Sequence, residues 1–284
     1  MNDPRGGAVI DRARGGVGVP VRHESAHLHV SGAAPYTDDI PELRDTLHAA
    51  FGLSSRPHAR VLELDLSAVR ATPGAVAVFT AADIPGENNF GPILHDDPIL
   101  ASDTVRYVGH PMFLVVAESA EAARRAARRA VVQYEDLAAI LDIDEALRQE
   151  SFVGPSVTLE RGDCAAALAA APQRRRGTIR LGAQEHFSLE GHAAYAVPRE
   201  DGGMLVHSST QHPGKVQLTV AQALGVDAHR VIVECRRMGG GFGGKETQPA
   251  QFACAAAIAA RVLDRPVKLR LDRDNDFMIT GKRH

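Results

Sequence analysis

The stretch that decides the fold is Met238-Gly-Gly-Gly-Phe-Gly-Gly-Lys-Glu246, which places five glycines within six consecutive positions. We call residues 238–246 the glycine-rich loop. The β-branched run 231–235 precedes it and predicts a strand, and the apolar, alanine-rich run 249–262 follows and predicts a helix. Glycines at a strand-to-helix junction permit positive φ and let backbone N–H groups approach a ligand closely. This placement suits an anionic or oxo-bearing cofactor.

Two phosphate-binding motifs are partly met by this loop. Gly239 to Lys245 fits the pattern G-x-x-x-x-G-K, but a P-loop then needs Ser or Thr, and Glu246 would repel phosphates. The glycines also fit G-x-G-x-x-G, the dinucleotide fingerprint, which further requires an acid at the end of the next strand. Asp264 has the spacing but stands in a turn, and Asp272 ends the predicted strand but lies too far along the chain. A nucleotide-binding loop and a glycine hairpin without function therefore stay open as alternatives.

Composition limits the class of protein. The 284 residues carry a net charge of -3, only 5% are aromatic and none is Trp, which argues against a general nucleic-acid-binding surface. Three scattered cysteines fit neither a disulfide framework nor a zinc site and favour a reducing compartment. The longest apolar run, 252–260, is too short to cross a bilayer, and no secretory signal is visible. We therefore expect a cytoplasmic protein that binds neither nucleic acid nor membrane.

Changes in pattern along the chain predict a flexible arm and two domains. The arm covers residues 1–19, and the domains cover 20–140 and 150–284. Apolar or alternating runs predict strands at 47–53, 59–66, 75–79, 112–117, 131–134, 178–181, 193–197, 203–209, 231–235 and 267–271. Alanine-rich or amphipathic runs predict helices after Ser119 and at 144–149, 163–170, 217–224 and 249–262.

Four further motifs accompany the glycine-rich loop. They are V-S-G-A-A-P-Y-T-D-D-I at 30–40, Q-E-H-F-S-L-E at 184–190, S-S-T-Q-H at 208–212 and the stretch from L-D-R to T-G-K-R-H at 271–284. Taken in chain order, the five motifs resemble the xanthine dehydrogenase and aldehyde oxidase family of molybdenum hydroxylases, and most closely its bacterial molybdenum-binding subunits. Ser188 departs from the family, which usually has an aromatic residue there. Five ordered motifs across nearly the whole chain are far more specific than one glycine pattern.

The resemblance implies a fold of class α+β. An α/β hammerhead domain at 20–140 would be followed by a mixed α/β molybdopterin-binding domain, of which 150–284 is the first part. The family's subunit continues for several hundred residues beyond this point, with its substrate arginine, general base and most pterin contacts. We therefore expect a partial subunit that is inactive alone, even when molybdenum cofactor and xanthine are added.

The resemblance also assigns roles to five residues. Gln211 matches the glutamine that donates a hydrogen bond to the metal's oxo ligand, and an amide can do so without adding charge. Gly241, Phe242 and Gly243 match the backbone that cradles the cofactor. Gln211 and Phe242 would contact the metal's ligands, with no protein atom bound to molybdenum itself. Glu246 matches a catalytic, substrate-facing glutamate and favours a purine, although a surface glutamate that pairs with Lys245 stays open.

The function implied is oxidation of xanthine or hypoxanthine to urate, with oxygen from water and NAD as final acceptor. The cofactor would be Mo-molybdopterin. Because no ferredoxin-like cysteine cluster precedes the two domains, 2Fe-2S and FAD centres are expected on a partner subunit in a hetero-oligomer. Oxidation of an aldehyde, carbon monoxide or another N-heterocycle stays open within the family, and a non-redox nucleotide-binding module stays open outside it.

Histidines and cysteines are expected to be structural. The histidines at 186, 192, 207 and 212 follow no zinc-ligand spacing. Cys164, Cys235 and Cys254 are expected to be small buried hydrophobic residues. His110, beside a proline, is expected in a turn.

Overall fold

The structure, a computed structural model, describes Gly18, Pro20 and residues 22–283. The predicted flexible arm, 1–19, falls outside the described residues except for Gly18, so it stays a prediction. Within the described part of the chain, no helix combines the length and the apolar character needed to cross a lipid bilayer.

The chain forms two compact units, Met1–Pro35 and Tyr36–His284. Helix α1 (Ala26–Ser31) belongs to the first unit and ends at Gly32, where a φ of 73° provides the left-handed C-cap common at helix ends. The second unit carries the sheets, the glycine-rich loop and every residue to which the sequence assigns a role.

The described residues of the second unit form ten strands and seven further α-helices, besides three short 3-10 helices. The strands are β1 (Leu47–Leu53), β2 (Ala59–Asp65), β3 (Ala75–Thr80), β4 (Thr104–Val105), β5 (Pro111–Ala117), β6 (Val131–Asp136), β7 (Ala193–Pro198), β8 (Met204–Ser208), β9 (Val231–Glu234) and β10 (Val267–Arg270). The helices are α2 (Ser67–Arg70), α3 (Ala120–Ala127), α4 (Ile143–Arg148), α5 (Cys164–Ala170), α6 (Pro213–Leu224), α7 (Pro249–Leu263) and α8 (Arg273–Ile279).

One mixed seven-stranded sheet runs through the second unit in the order β3-β5-β1-β10-β7-β8-β9, and a three-stranded sheet has the order β4-β2-β6. In the larger sheet β1 pairs parallel with β10, with Leu47 opposite Val267, so early and late strands share one ladder. Helices together with one mixed and one antiparallel sheet confirm the predicted α+β class. The boundary between 20–140 and 150–284 stays a prediction.

Helix α7 lies at the centre of the larger core, against β7 and α6. Twelve of its fifteen residues, from Pro249 to Ala260, are buried. Its many alanines allow close approach of helix and sheet, while Phe252 and Ile258 fill the remaining volume. The glycine-rich loop leads into this helix, so its far end is fixed to a largely buried element of the fold.

Two of the sequence predictions need correction. The predicted strand at 178–181 does not form, and Ile179 and Leu181 are 85% and 84% exposed. Its apolar residues satisfy a local pattern, but no described strand pairs with it to complete a ladder. Helix α8 was not predicted, because Asp272 was interpreted as a strand end. Its carboxylate instead caps α8 by accepting from the N–H of Asn275.

Candidate functional site

The glycine-rich loop links β9 to α7, as predicted, and depends on left-handed backbone. Gly240 and Gly243 have φ values of 99° and 92°, which glycine adopts without steric penalty. Phe242 between them has φ 53°, an uncommon conformation for a bulky residue. Its side chain is 70% exposed, so it does not fill the core. The loop therefore turns sharply around an exposed aromatic residue.

Gln211 binds the loop at three points. Its side-chain Oε1 accepts hydrogen bonds from the N–H groups of Gly243 at 3.0 Å and Lys245 at 3.1 Å. Its backbone N–H donates to the Lys245 carbonyl at 2.7 Å. Because the two loop N–H groups select the amide oxygen, Nε2 is left as the donor end of the side chain. No described residue accepts a hydrogen bond from this Nε2.

Gly241 lies against this amide. A Cβ atom at Gly241 would lie 2.6 Å from Gln211 Oε1 and 2.8 Å from Met238 Cε. Both distances are shorter than real contacts of a Cβ atom, so a side chain at this position would have to displace the Gln211 amide and the Met238 methyl group. The N–H of Phe242, next in the chain, donates to no described residue. The loop thus leaves a backbone donor at Phe242 and a side-chain donor at Gln211.

Lys245 is buried, with only 1% of its side chain exposed. Its Nζ donates to the Glu190 carbonyl and the Ser209 hydroxyl, both at 2.7 Å, and lies 3.3 Å from the Glu190 carboxylate. Burial lowers the pKa of Lys245, and the charge of Glu190 opposes that effect. This pair was missed at the sequence level. The available signals were the acid in Q-E-H-F-S-L-E and a lysine among glycines.

Glu246 follows Lys245 and is exposed. The alternative that it pairs with Lys245 is wrong, because the Lys245 ammonium is directed into the protein toward Glu190, Gly191 and Ser209. No hydrogen bond or ion pair joins the Glu246 side chain to another described residue. Its carboxylate is therefore available to a ligand.

A buried histidine, paired with a buried carboxylate, contacts the backbone of the glycine-rich loop. His192 Nδ1 lies 2.6 Å from Asp276 Oδ1, and His192 Nε2 lies 3.2 Å from the Gly244 carbonyl. Burial raises the pKa of Asp276, but the hydrogen bonds and charge of His192 and the charge of Arg273 outweigh it, so the pKa lies below its ordinary value. This geometry gives His192 the predicted structural role.

The remaining histidines and the cysteines do not come together. No group of three or more His, Cys, Asp or Glu within the described residues could hold a metal ion. Cys254 is buried, Cys235 is half-buried and Cys164 is exposed. The expectation of buried cysteines is therefore confirmed for Cys254 and wrong for Cys164. Burial raises the pKa of the Cys254 thiol far above its usual range.

Neither of the two acids considered for a dinucleotide site has the role that such a site needs. Asp264 ends α7 in a left-handed conformation, with φ 48°. Asp272 caps α8. Asp264 therefore precedes β10, and Asp272, which follows β10, uses its carboxylate to cap α8, where a dinucleotide site would need it to bind a ribose. The structure therefore removes the main support for a dinucleotide fingerprint.

Two family comparisons cover most of the chain. Residues 31–138 match the aldehyde oxidase and xanthine dehydrogenase a/b hammerhead domain. Residues 147–284 match the molybdopterin cofactor-binding domain.

Individual proteins agree with these matches. The chain is 45% identical over 273 residues to a xanthine dehydrogenase of Oryza sativa subsp. japonica and 44% identical over 269 residues to a xanthine dehydrogenase/oxidase of Mus musculus. Each alignment covers 94% of this chain and 20% of the relative, so the chain spans about a fifth of their length. A solved aldehyde oxidoreductase from Desulfovibrio gigas superposes with a TM-score of 0.80 at 28% identity, over 92% of this chain and 31% of that one.

Proposed function

The chain belongs to the xanthine dehydrogenase and aldehyde oxidase family of molybdenum hydroxylases, and we propose that Gln211 and the glycine-rich loop form part of its molybdenum cofactor site. One observation carries the proposal. The loop fixes the amide oxygen of Gln211 through Gly243 and Lys245, which leaves Nε2 as a donor. We further propose that the hammerhead domain is 20–140 and the cofactor-binding domain begins at 150.

The residues present fit the cofactor that the family implies. Nε2 of Gln211 and the N–H of Phe242 are donors, and donors suit the oxo oxygen of a molybdenum centre. Gly241 lacks the side chain that would displace the Gln211 amide. Gly243 contributes through its conformation and its bond to Gln211. Preorganised donors of this kind need no rearrangement when charge develops on a ligand.

When bound, the cofactor would supply two-electron oxidation of a substrate carbon with oxygen from water. The chain's own contribution is to position that cofactor and to bind substrate. Glu246 would accept or donate a hydrogen bond at a purine nitrogen or oxygen, which favours xanthine or hypoxanthine as substrate. Electrons would pass to a partner carrying 2Fe-2S and FAD and then to NAD, in a cytoplasmic hetero-oligomer.

The test compares Glu246→Gln with Glu200→Gln in the complete molybdenum enzyme that contains this chain. Glu200 is exposed in a turn away from the loop and serves as the matched control. We expect Glu246→Gln to lower kcat/KM for xanthine about 100-fold or more, as loss of a positioned catalytic group does, while molybdenum content is unchanged. Equal kcat/KM in both variants would exclude this role for Glu246.

The same enzyme preparation tests the other possibilities. Molybdenum near one atom per chain supports the cofactor site, and nucleotide binding without molybdenum contradicts it. Faster oxidation of an aldehyde than of xanthine by the unmodified enzyme would replace the purine assignment with the aldehyde alternative. The similarity to the aldehyde oxidoreductase from Desulfovibrio gigas is the observation that favours this alternative.

A further inference from the structure

The buried Lys245–Glu190 pair anchors both ends of the glycine-rich loop. Near the start of the loop, the Gly239 N–H donates to Glu190 Oε2 at 2.9 Å, and the Glu190 N–H donates back to the Gly239 carbonyl at 3.1 Å. Near its end, Lys245 Nζ contacts Glu190 and Ser209. The Ser209 hydroxyl donates to Glu190 Oε2 at 2.6 Å and completes the cluster.

Lys245 is also the residue through which Gln211 and Glu246 are connected. Its N–H donates to Gln211 Oε1, and its carbonyl accepts from the Gln211 N–H. Glu246 follows it directly in the chain. The backbone position of Lys245 therefore sets the distance between a cofactor-facing amide and a substrate-facing carboxylate.

Conformational cost explains why such an anchor is needed. A segment with five glycines in six positions loses more backbone entropy on ordering than a segment of the same length made of other residues, because glycine has the most backbone freedom to lose. Contacts at its two ends restrict the loop without occupying the Gln211 Nε2 or the Glu246 carboxylate. A buried ion pair suits this task when its remaining hydrogen bonds are satisfied, as those of Lys245 are.

We propose that Lys245 and Glu190 are positioning residues that hold Gln211 and Glu246 in register by anchoring the glycine-rich loop. The importance of the relative positions of Gln211 and Glu246 rests on the proposed function, but the anchoring of the loop does not. Neither side chain needs to touch the substrate. Their effect passes through the backbone bonds of Gly239 and Lys245.

The test follows amide hydrogen exchange, residue by residue, in the 284-residue chain without any added cofactor. In Lys245→Met, the N–H groups at positions 243 and 245 are expected to exchange at least about tenfold faster than in the unmodified chain, when both rates are taken relative to those of α7. The reason is that the loop opens locally while the helix stays closed. Lys268→Met is the matched control. Lys268 is also nearly buried and pairs with Asp38 and Glu42 at 3.1 Å, but on β10 away from the loop.

A second variant removes the unpaired charge that Lys245→Met leaves behind. The double variant Glu190→Gln with Lys245→Met leaves no unpaired charge at this pair, so it is expected to unfold less readily than the single variant while its loop still exchanges faster than α7. Loop exchange that rises only in step with α7, or equally in Lys268→Met, would show that the pair supplies general stability alone and would overturn the proposal.

In the complete enzyme, the positioning role predicts a lower kcat for the double variant without a matching rise in KM, at unchanged global stability. Loss of loop protection with normal molybdenum content and normal kcat would refute the register and leave the cofactor site intact. Absence of molybdenum from the unmodified enzyme would instead refute the proposed function, while the exchange result on the chain would still stand.

Discussion

Gln211 holds the glycine-rich loop through Gly243, whose backbone N–H donates to Gln211 Oε1 at 3.0 Å. The bond orients the amide as well as the loop, because an amide has only one acceptor atom. A glutamate at this position would keep both acceptor bonds from the loop and lose the donor end. The substitution of Gln211 by glutamate therefore distinguishes two roles of this side chain, its contact with the loop and its proposed contact with a cofactor.

Gln211→Glu is therefore expected to fold normally and to bind molybdenum cofactor poorly. The exposed carboxylate can still accept from Gly243 and Lys245, so the free energy of unfolding should change by no more than about 0.5 kcal/mol. The new carboxylate would repel the oxo ligand of the cofactor, which also carries negative charge. The molybdenum content of the complete enzyme should therefore fall at least about tenfold. Full molybdenum content in this variant would contradict the proposed role.

Gly241→Ala tests the close approach without any cofactor. The new Cβ would meet Gln211 Oε1 at 2.6 Å and must displace it. We expect a loss of about 1–3 kcal/mol in the free energy of unfolding, as for other overpacked sites, measured by urea denaturation of the chain. Gly214→Ala is the control, because a Cβ there meets nothing within 4 Å and lies in α6. Equal stability of both variants would contradict the crowding.

Sequence patterns predicted local elements well and long-range pairing poorly. The strands at 47–53 and 112–117 lie within one residue of β1 and β5, because continuous apolar runs are their own signal. The parallel pairing of Leu47 with Val267 has no local signal, since it joins segments 220 residues apart. The false strand at 178–181 fails for the same reason, because its pattern is local and its partner is absent from the described residues.

The candidate site divides in a similar way. The glycine-rich loop was evident from composition, and Gln211 and Glu246 came from the family resemblance. Lys245 and Glu190 were not predicted as a buried pair, because charged residues beside glycines are usually exposed. Only the folded chain brings Q-E-H-F-S-L-E against the loop and supplies the four oxygen acceptors that surround the Lys245 ammonium.

His110 is expected to make the chain less stable as pH falls from about 6.5 to 4. Burial, with the nearby charge of Arg106, lowers its pKa from 6.5 to about 4. The unfolded chain therefore takes up a proton before the folded chain does, and the free energy of unfolding should decrease by about 3 kcal/mol across that range. Below the folded pKa the contribution is constant.

The variant His110→Asn isolates this effect. An asparagine oxygen can still accept from the Arg106 N–H, as His110 Nδ1 does at 3.2 Å, but it does not titrate. Urea denaturation between pH 7.5 and 4 should show a shallower decline for this variant than for the unmodified chain. His95→Asn, at an exposed histidine, should leave the decline unchanged. Identical slopes for all three chains would rule out His110 as the source.

Asp276 is expected to affect the free energy of unfolding at lower pH than His110 does. Its pKa lies below the ordinary 3.8 because His192 and Arg273 outweigh the effect of burial. A carboxylate with a lowered pKa stabilises the folded chain above 3.8, and that stabilisation is lost as pH falls through the folded pKa. Asp276→Asn should therefore be less stable at pH 7 by roughly 1–3 kcal/mol, the range for a hydrogen bond to a charged group. The deficit should shrink below pH 3.8, where the unmodified chain loses the same contribution.

Asp274→Asn is the control for this prediction, since Asp274 is exposed on the same helix, α8. A deficit for Asp276→Asn that persists unchanged at low pH would mean that the ionised Asp276 carboxylate is not its cause.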